Sequence, residues 1–547
     1  MSVVQFPALL RIRSTALAAL LCAAVSAQTP YVQAPHFDAQ AVAQDDEQRA
    51  LAGDLPLYGR LMPIDATPAT SGSWAEEGRD RVWRVGITSP GALAVECFLD
   101  QAVLPPGASF QMISPSGRPI GDRVHPDLAA DVHEFSTALV PGDSLTLEYR
   151  EPVDADFQGT FRIAQIGHAY RDVEFDASRE GTCHVNVACH PESDGWEGPI
   201  RATVRISVVV SQGTGWCSGT LVNNVRQDCA PYILSAWHCG RTSTTAQFNQ
   251  YKFYFNFQYA TCTGGSYSTA QYVTGSQLKA YSDDYAPEYQ GLGGSDFMLL
   301  RTNATIPSSF QPYWAGWDAT NISSVTADGV CIHHPTGAPK RISSYTQTLV
   351  TGHPMASSGL MSHYKVVWAQ TEHGWGITEV GSSGSGLFKQ ISGTGPVLIG
   401  TNTGSSSGMS CSNHSGYAYF GKMSYHWTNN PNAANIKLKP WLDPDNTGTL
   451  VLAGSDQPCA AASAIGETAL RGQTLLYPNP ATDRVFLSGM GPVHYQITDL
   501  AGHILRRGKA NEEPAGIDLA GLACGLYILT AITDQGVMAR QPFTIAP

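Results

Sequence analysis

Three short stretches of this chain set a serine, a histidine and an aspartate beside apolar sequence. Ser383 lies between glycines in Gly-Ser-Ser-Gly-Ser, positions 381–385, which suits an exposed nucleophile. His238 and Asp296 each lie at the edge of an apolar run farther upstream. A serine hydroxyl becomes a strong nucleophile when a histidine accepts its proton and a carboxylate holds the histidine ring. These stretches therefore predict acyl-transfer chemistry, with Ser385 as a less favoured second nucleophile.

The order of these residues along the chain distinguishes between hydrolase architectures. In α/β-hydrolases the catalytic residues follow one another along the chain as Ser, then Asp or Glu, then His. In chymotrypsin-type enzymes the order is His, Asp, Ser. The order here is His238, Asp296, Ser383, and the Gly-x-Ser-x-Gly pattern fails because position 385 is serine. Each residue alone could be structural, as a core histidine, a strand cap or a turn serine, but the ordered set favours catalysis. The adjacent His333 and His334 are expected to be structural.

Several motifs resemble those of bacterial lysyl endopeptidases, a family with the chymotrypsin fold. They are Ser-Ala-Trp-His-Cys at 235–239, Ser-Asp-Phe-Met-Leu-Leu at 295–300 and Gly-Ser-Ser-Gly-Ser at 381–385. Further similar stretches begin at Trp314, Ile332, Lys340 and Trp441, so the resemblance spans roughly 180 to 445. The resemblance implies a mainly β fold of two β-barrels, with a catalytic triad in the cleft between them, and peptide-bond hydrolysis through an acyl-enzyme.

This chemistry gives each candidate residue a role. His238 is expected to be the general base and Ser383 the nucleophile. Asp296 is expected to hold the imidazole ring of His238 in the productive tautomer. The N–H groups of Gly381 and Ser383 are expected to form the oxyanion hole. Ser382 lies where most chymotrypsin-like enzymes carry the Asp that pairs with a new N-terminus, so activation here is expected not to depend on that ion pair.

The cysteines are expected to form disulfides and not a metal site. By resemblance the pairs are Cys183 with Cys411, Cys189 with Cys262, and Cys217 with Cys239. Cys229 and Cys331 are additions to the family pattern, so we predict that they pair with each other. No partner is evident for Cys459 or Cys524, which could pair with each other or stay free. The chain has no Cys-x-x-Cys and no His-Glu-x-x-His pattern, so no zinc and no cofactor are expected.

The predicted substrate pocket departs from the family. Lysyl endopeptidases carry an Asp at the pocket base, and the matching position here is Ala418. Thr403 replaces the family's His on the substrate-binding strand, and Gly416 and Ile377 add no charge. A buried lysine ammonium needs a counter-charge. The sequence therefore predicts an uncharged side chain before the cleaved bond, unless Asp283 or Asp284 reaches the pocket.

Composition and length indicate an exported protein of several domains. The chain has 547 residues, only 14% of them charged, and 54 glycines, a composition that suits β-rich extracellular proteins. The net charge of −13 disfavours non-specific nucleic-acid binding. Residues 1–27 are predicted to be a signal peptide because basic residues precede a short apolar run and a small-residue cleavage site. No stable membrane span is expected after its removal.

The rest of the chain divides into four predicted segments. Residues 28–179 read as a β-rich propeptide, with an independent binding module as the alternative and Arg179 as a processing site. Residues 180–455 form the predicted peptidase domain, and 456–470 a small-residue linker. Residues 471–547 resemble the type A sorting domain of the type IX secretion system, a small Ig-like β-sandwich.

The predicted protein is a secreted or cell-surface serine endopeptidase made as a zymogen. Its partners are peptide substrates and the secretion machinery. The rivals are an inactive adhesin on a peptidase fold and an esterase, which the chain order of the three residues disfavours.

Overall fold

The structure, a computed structural model, covers the chain except for several short segments. It describes residues 30–52, 54–124, 132–171, 181–282, 294–321, 325, 328–352, 361–459, 475–488, 492–499, 504–512, 514–533 and 538–546. The predicted signal peptide and Arg179 lie outside the described residues, as do Asp283 and Asp284. No helix in the described ranges is both long and apolar enough to cross a membrane.

Residues 30–171, the N-terminal module, form two facing β-sheets around one apolar cluster. The elements are β1 (Tyr31–Gln33), α1 (Ala39–Ala52), β2 (Leu57–Ala66), β3 (Ser73–Glu77), β4 (Asp80–Thr88), β5 (Ala94–Val103), β6 (Ser109–Ile113), β7 (Pro119–Val124), β8 (Phe135–Ser136), β9 (Val140–Pro141), β10 (Ser144–Pro152) and β11 (Thr160–Ala169). The strand-like runs 81–87, 92–99, 110–113 and 144–149 of the sequence are confirmed as β4, β5, β6 and β10.

Helix α1 was not expected, because its sequence has little apolar periodicity. Its start carries a signal that was readable: the Asp38 carboxylate accepts the N–H groups of Gln40 and Ala41, both at 3.0 Å, as an N-cap does. Tertiary contacts then hold the helix. Asp46 bonds with Arg60 Nη2 at 2.6 Å and with the Tyr170 hydroxyl at 2.8 Å.

Residues 181–459, the central domain, contain two sheet systems that are antiparallel except for the parallel pair of β20 with β26. The elements are β12 (Val185–Asn186), α2 (Glu197–Ala202), β13 (Thr203–Val210), β14 (Gly213–Val222), β15 (Tyr232–Ser235), α3 (Trp237–Gly240), α4 (Thr245–Phe248), β16 (Lys252–Tyr254), β17 (Tyr272–Thr274), β18 (Ser276–Ser282), β19 (Phe297–Thr302), β20 (Gly316–Asp318), β21 (Gly329–His333), β22 (Arg341–Tyr345), β23 (Val350–Gly352), β24 (His363–Val366), β25 (Gly386–Ile391), β26 (Gly395–Ser405), β27 (Ala418–Lys422), α5 (Lys439–Leu442) and β28 (Val451–Leu452). Strands β13–β19 form the first barrel, and β12 with β20–β28 the second.

The barrel strands are buried on both faces, which explains their weak alternation in sequence. Every residue of β13 and β14 is buried. Strand β14 pairs with β13 on one side and with β15 and β2 on the other, so the sheet of the first barrel continues into the N-terminal module.

Residues 475–546, the C-terminal module, form a two-sheet sandwich. Its strands are β29 (Leu475–Tyr477), β30 (Arg484–Ser488), β31 (Val493–Thr498), β32 (Ile504–Ala510), β33 (Ala515–Asp518), β34 (Gly525–Thr533) and β35 (Met538–Ile545). The sheet orders are β29-β30-β33 and β32-β31-β34-β35. They enclose a separate apolar cluster that includes Val485, Ile497 and Phe543. The prediction of a mainly β fold is confirmed.

Candidate active site

His238 lies in the short helix α3 directly after the buried strand β15. The disulfide Cys217–Cys239 ties this helix to β14 beside it. The His238 Nδ1 atom is 2.7 Å from Oδ2 of Asp296, and the His238 backbone N–H donates to Oδ1 of the same carboxylate at 2.9 Å. Two contacts to one carboxylate fix both the backbone and the ring of the histidine.

Asp296 begins the segment that leads into β19, and its side chain is 0% exposed. Its φ of 48° is in the left-handed region, which a non-glycine residue occupies at some cost. This turn lets its carbonyl accept the Trp237 N–H at 3.3 Å while its carboxylate faces His238. An ionised carboxylate only accepts hydrogen bonds, so this contact favours the His238 tautomer with a proton on Nδ1, which leaves Nε2 as an acceptor.

Ser383 lies in the turn before β25, against the same helix. Its carbonyl oxygen accepts the Ser218 N–H at 2.8 Å and lies 3.9 Å from Sγ of Cys239. It is the one residue of 381–385 that is partly exposed, and the other four are buried. The structure thus brings the backbone of Ser383 to the turn that carries His238.

Two glycines allow this turn to pack as it does. Gly381 has φ of 89°, and a Cβ there would lie 2.8 Å from the His334 carbonyl oxygen. Gly384 has φ of 82°, and a Cβ there would lie 2.1 Å from Oγ of Ser235. A side chain at position 384 would push the Ser383 turn away from the segment that leads to His238, and one at position 381 would push it away from the turn at 334–337.

Backbone donors converge at this turn. The N–H groups of Ser382, Gly384 and Ser385 donate to carbonyls within the fold. Among the described residues, no hydrogen bond is formed by the N–H of Gly381 or by that of Ser383. An unpaired pair of N–H groups beside a partly exposed serine can receive an oxyanion.

The sequence reasoning gave His333 no functional contact, but the structure places it behind this turn. His333 Nδ1 is 2.7 Å from Ser382 Oγ, and its Nε2 is 2.9 Å from Ser343 Oγ. The Ser382 Oγ also accepts the Glu379 N–H at 3.0 Å. Burial, then the charges of His184 and Arg341, hold the pKa of His333 well below its ordinary value. The signal in the sequence was Ser382, which replaces the Asp of most chymotrypsin-like enzymes. A serine at this site can take a neutral hydrogen-bond partner such as His333.

Ser385, the second possible nucleophile, is buried and faces away from solvent. Its Oγ lies 3.2 Å from Sγ of Cys331. Cys331 belongs to the apolar cluster of the second barrel. Burial raises the pKa of the Cys331 thiol to about 12, so it stays protonated.

The four residues predicted to line the substrate pocket lie on adjacent strands and turns. Ile377 and Ala418 are 0% exposed and share one apolar cluster. Ala418 pairs with Ser405 in the sheet, and Ser405 Oγ is 3.0 Å from Thr378 Oγ1, which ties the three pocket segments together. Gly416 has φ of 128° in the turn before β27.

Thr403 is also buried, and its hydroxyl is 3.0 Å from Nε2 of His363. The carboxylate closest in sequence, Glu379, lies 2.8 Å from His184 Nε2. The Thr403 hydroxyl and the Glu379 carboxylate are thus each in contact with a histidine.

The disulfide prediction is correct for three pairs and wrong for the fourth. Cys183–Cys411, Cys189–Cys262 and Cys217–Cys239 are bonded, as the resemblance implied. Cys229 is bonded to Cys459 and not to Cys331. The segment after β28 returns to the first barrel, where Ser455 bridges Trp314, and this brings Cys459 to the Cys229 loop. Cys331 instead points into the second barrel, and Cys97 and Cys524 are also unbonded.

Two clusters of potential metal ligands occur in the described part of the chain. They are Cys189–Cys262–His373 and His184–Glu379–Cys411. Both use cysteines that are already bonded in disulfides, and it is the thiolate that binds metals.

Comparisons with known proteins agree with the motifs. Residues 177–421 match the family model for the lysyl endopeptidase C-terminal domain, and residues 475–542 match that for the secretion system C-terminal sorting domain. A lysyl endopeptidase of Pseudomonas aeruginosa is 28% identical over 291 residues, which cover 50% of this chain and 57% of that protein. The match thus spans little more than half of the relative.

Two solved structures are similar to part of the chain. The inactive form of Rv3671c from M. tuberculosis H37Rv is 12% identical, covers 42% of this chain and 84% of its own, and gives a TM-score of 0.26. The thermostable serine protease AL20 from an extremophilic microorganism is 16% identical, covers 41% and 93%, and gives a TM-score of 0.30. Residues 177–421 are therefore similar to the lysyl endopeptidase C-terminal domain, residues 475–542 form a secretion system C-terminal sorting domain, and the chain is a secreted or cell-surface protein.

Proposed function

We propose that this protein is a secreted serine endopeptidase that hydrolyses peptide bonds through an acyl-enzyme. The observation that carries the proposal is the 2.7 Å contact between His238 Nδ1 and the buried Oδ2 of Asp296, beside the partly exposed Ser383. The family match over 177–421 supports the same reaction.

In this mechanism, Ser383 Oγ attacks the scissile carbonyl while His238 Nε2 takes its proton. Asp296 stabilises the imidazolium that forms. The oxyanion of the tetrahedral intermediate binds the N–H groups of Gly381 and Ser383. His238 then gives the proton to the leaving amine, and water repeats the sequence to release the acyl group.

The proposed substrate carries an uncharged side chain before the cleaved bond. Ile377 and Ala418 would form an apolar pocket base, and Thr403 would keep its hydroxyl on His363. A lysine ammonium would enter such a pocket without a counter-charge, which is costly.

We also propose that the protein is made as a zymogen and exported by the type IX secretion machinery. The sorting-domain match at 475–542 and the separate apolar cluster of the C-terminal module support the second part. A chain that ends at residue 470 is then expected to stay active after purification but to remain inside the producing cell. Loss of activity in that purified chain would make the module part of the enzyme.

The hydrolytic proposal is tested by turnover of a mixed peptide library. The natural chain is expected to cleave peptides, and His238→Ala is expected to lose about 10⁴-fold or more in kcat without losing its folded circular dichroism spectrum. Absence of any turnover in the purified, processed protein would favour the adhesin alternative. Turnover of simple esters but not of peptides would favour an esterase.

A further inference from the structure

The backbone of Asp296 has a conformation that its residue type does not favour. Its φ of 48° lies in the left-handed region, and a non-glycine residue stays there only when its surroundings fix it. The N–H of the preceding residue, Ser295, donates to Ser282 Oγ of β18 at 3.1 Å, and the Asp296 carbonyl accepts the Trp237 N–H. These contacts hold the main chain within the first barrel, and they do not involve the side chain of Ser295.

A buried histidine that follows β27 contacts both neighbours of Asp296. His426 is fully buried and lies in a π-helical turn, Tyr425–Asn429. Its Nδ1 atom is 2.9 Å from Ser295 Oγ, and its ring lies against that of Phe297 with the two centroids 4.8 Å apart. The imidazole therefore contacts the chain on both sides of the candidate triad carboxylate.

The other ring nitrogen of His426 reaches the strand beside the nucleophile turn. His426 Nε2 is 3.0 Å from Thr401 Oγ1 of β26. The residue after Thr401, Asn402, accepts the Gly384 N–H at 2.8 Å and donates to the Ser385 carbonyl at 2.9 Å. One side chain thus joins the two segments that carry the carboxylate and the serine of the candidate triad.

Strand β27 leaves just enough room for this ring. Gly421 pairs with Thr401, and a Cβ at position 421 would lie 2.0 Å from the Ser295 carbonyl oxygen and 2.8 Å from Cε1 of His426. A neutral imidazole suits the two hydroxyls, because it offers one donor and one acceptor and a hydroxyl can act as either. Both hydroxyls belong to buried residues, so a side chain without ring nitrogens would take a hydrogen-bond partner from each of them.

We propose that His426 is a positioning residue for the triad, which holds the Asp296 turn towards His238 and fixes that turn relative to the nucleophile segment. The inference rests on the proposed peptidase function. It differs from a packing role, because the hydrogen bonds of the ring matter and not its volume alone. The Nδ1 contact with Ser295 carries the effect on Asp296, so it is expected to matter more than the Nε2 contact.

Steady-state peptide kinetics of His426 variants test the proposal. His426→Phe keeps an aromatic ring beside Phe297 and removes both nitrogens, so kcat is expected to fall about 10- to 100-fold with KM little changed. His426→Asn places an amide near the position of Nδ1 and is expected to recover most of the loss. His426→Gln, whose amide reaches the position of Nε2, is expected to recover less. An unchanged kcat in folded His426→Phe would overturn the proposal, and so would equal kcat values for the Phe and Asn variants.

A serine variant keeps the test decisive where His426→Phe does not fold. Ser295→Ala removes the hydroxyl that meets Nδ1 and is expected to lower kcat, again with little change in KM. The matched control is Ser276→Ala, which removes another buried hydroxyl at the opposite end of β18 from Ser282 and is expected to leave kcat unchanged. Equal kcat values for the two serine variants would overturn the role of the Ser295 contact and with it the proposal.

Measurements on the natural chain separate this proposal from the proposed function. Peptide turnover and a stoichiometric burst with a fluorophosphonate titrant are expected from the natural chain. Their absence would overturn the proposed function and this inference together. A natural chain that shows both, with kcat unaffected in His426→Phe and in Ser295→Ala, would overturn only the role of His426.

Discussion

His333 and Ser382 are both fully buried and contact each other behind the candidate oxyanion loop, with 2.7 Å between Nδ1 and Oγ. The same serine oxygen accepts the Glu379 N–H. Most chymotrypsin-like enzymes have a carboxylate at the position of Ser382. Here a neutral histidine supports the turn through the serine. Because the contact forms within the central domain, we expect the loop to hold its shape without an ion pair to a new N-terminus.

Replacement of His333 should impair catalysis more than binding. In His333→Ala, Ser382 loses its partner and the N–H groups of Gly381 and Ser383 shift, so kcat is expected to fall about 10²-fold with little change in KM. His333→Gln can keep a hydrogen bond to Ser382 and is expected to recover part of the loss. Steady-state peptide kinetics on folded variants decide this, and an unchanged kcat in His333→Ala would contradict the supporting role.

Substrate preference should follow the uncharged pocket. Matched peptides that differ only in Lys, Arg, Phe or Leu before the scissile bond are expected to show higher kcat/KM for Phe or Leu. The reason is that Ile377 and Ala418 provide no counter-charge for an ammonium. A preference for Lys of more than about 100-fold, roughly 2.7 kcal/mol, would show that a carboxylate occupies the pocket. Ala418→Asp is expected to shift preference towards Lys, whereas Ala188→Asp, a change outside this region, is not.

Peptide mapping under non-reducing conditions should recover Cys229 linked to Cys459, and Cys331 as a free thiol. The Cys229–Cys459 bond spans 230 residues, for which the chain-entropy model allows about 5 kcal/mol of stabilisation as an upper figure. Cys459→Ser is therefore expected to lower the free energy of unfolding. Cys331 is expected to react with thiol reagents only after denaturation, and a Cys229–Cys331 peptide would contradict this structure.

Burial of Lys340 should make stability depend on pH. Its ammonium donates to the Ile200 carbonyl and is 0% exposed, and burial lowers its pKa to about 7 from 10.5. Below about pH 7 both the folded and unfolded chains bind the proton. Between about pH 7 and 10.5 only the unfolded chain does, so the free energy of unfolding rises with pH, by at most about 1.4 kcal/mol per unit.

The variant Lys340→Met removes this titration. Denaturant unfolding between pH 6.5 and 9.5 is expected to show a rise for the natural chain relative to Lys340→Met, and no such difference for Lys437→Met, whose ammonium bonds at the surface. Parallel pH profiles for the natural chain and Lys340→Met would show that this lysine does not titrate in that range.

The strands and the pairing of His238 with Asp296 could be predicted because turn residues bound the strands and ordered motifs carry the two side chains. Three of the disulfides followed from the resemblance to a known family. The interior of helix α1 has no local sequence signal. Contacts of Asp46 with Arg60 and Tyr170 hold the helix instead.

The Cys229–Cys459 bond and the His333–Ser382 contact depend on distant segments of the chain meeting in space. Cys459 reaches Cys229 only because the chain returns to the first barrel after β28. His333 meets Ser382 only because β21 pairs with β25. The spacing of residues along a single sequence does not show which distant segments meet. The assumption that the two unmatched cysteines, Cys229 and Cys331, pair with each other therefore gave the wrong partner.

The central claim is that Ser383 is the nucleophile, and active-site titration tests it most directly. With a fluorophosphonate titrant, the processed natural chain is expected to show a burst of one equivalent per chain, and mass spectrometry should locate the adduct on Ser383. The variant Ser385→Ala, which alters a buried serine two residues away, should keep the burst if folded, and Ser383→Ala should lose it. A stoichiometric burst in Ser383→Ala, or an adduct on any other residue, would contradict this account.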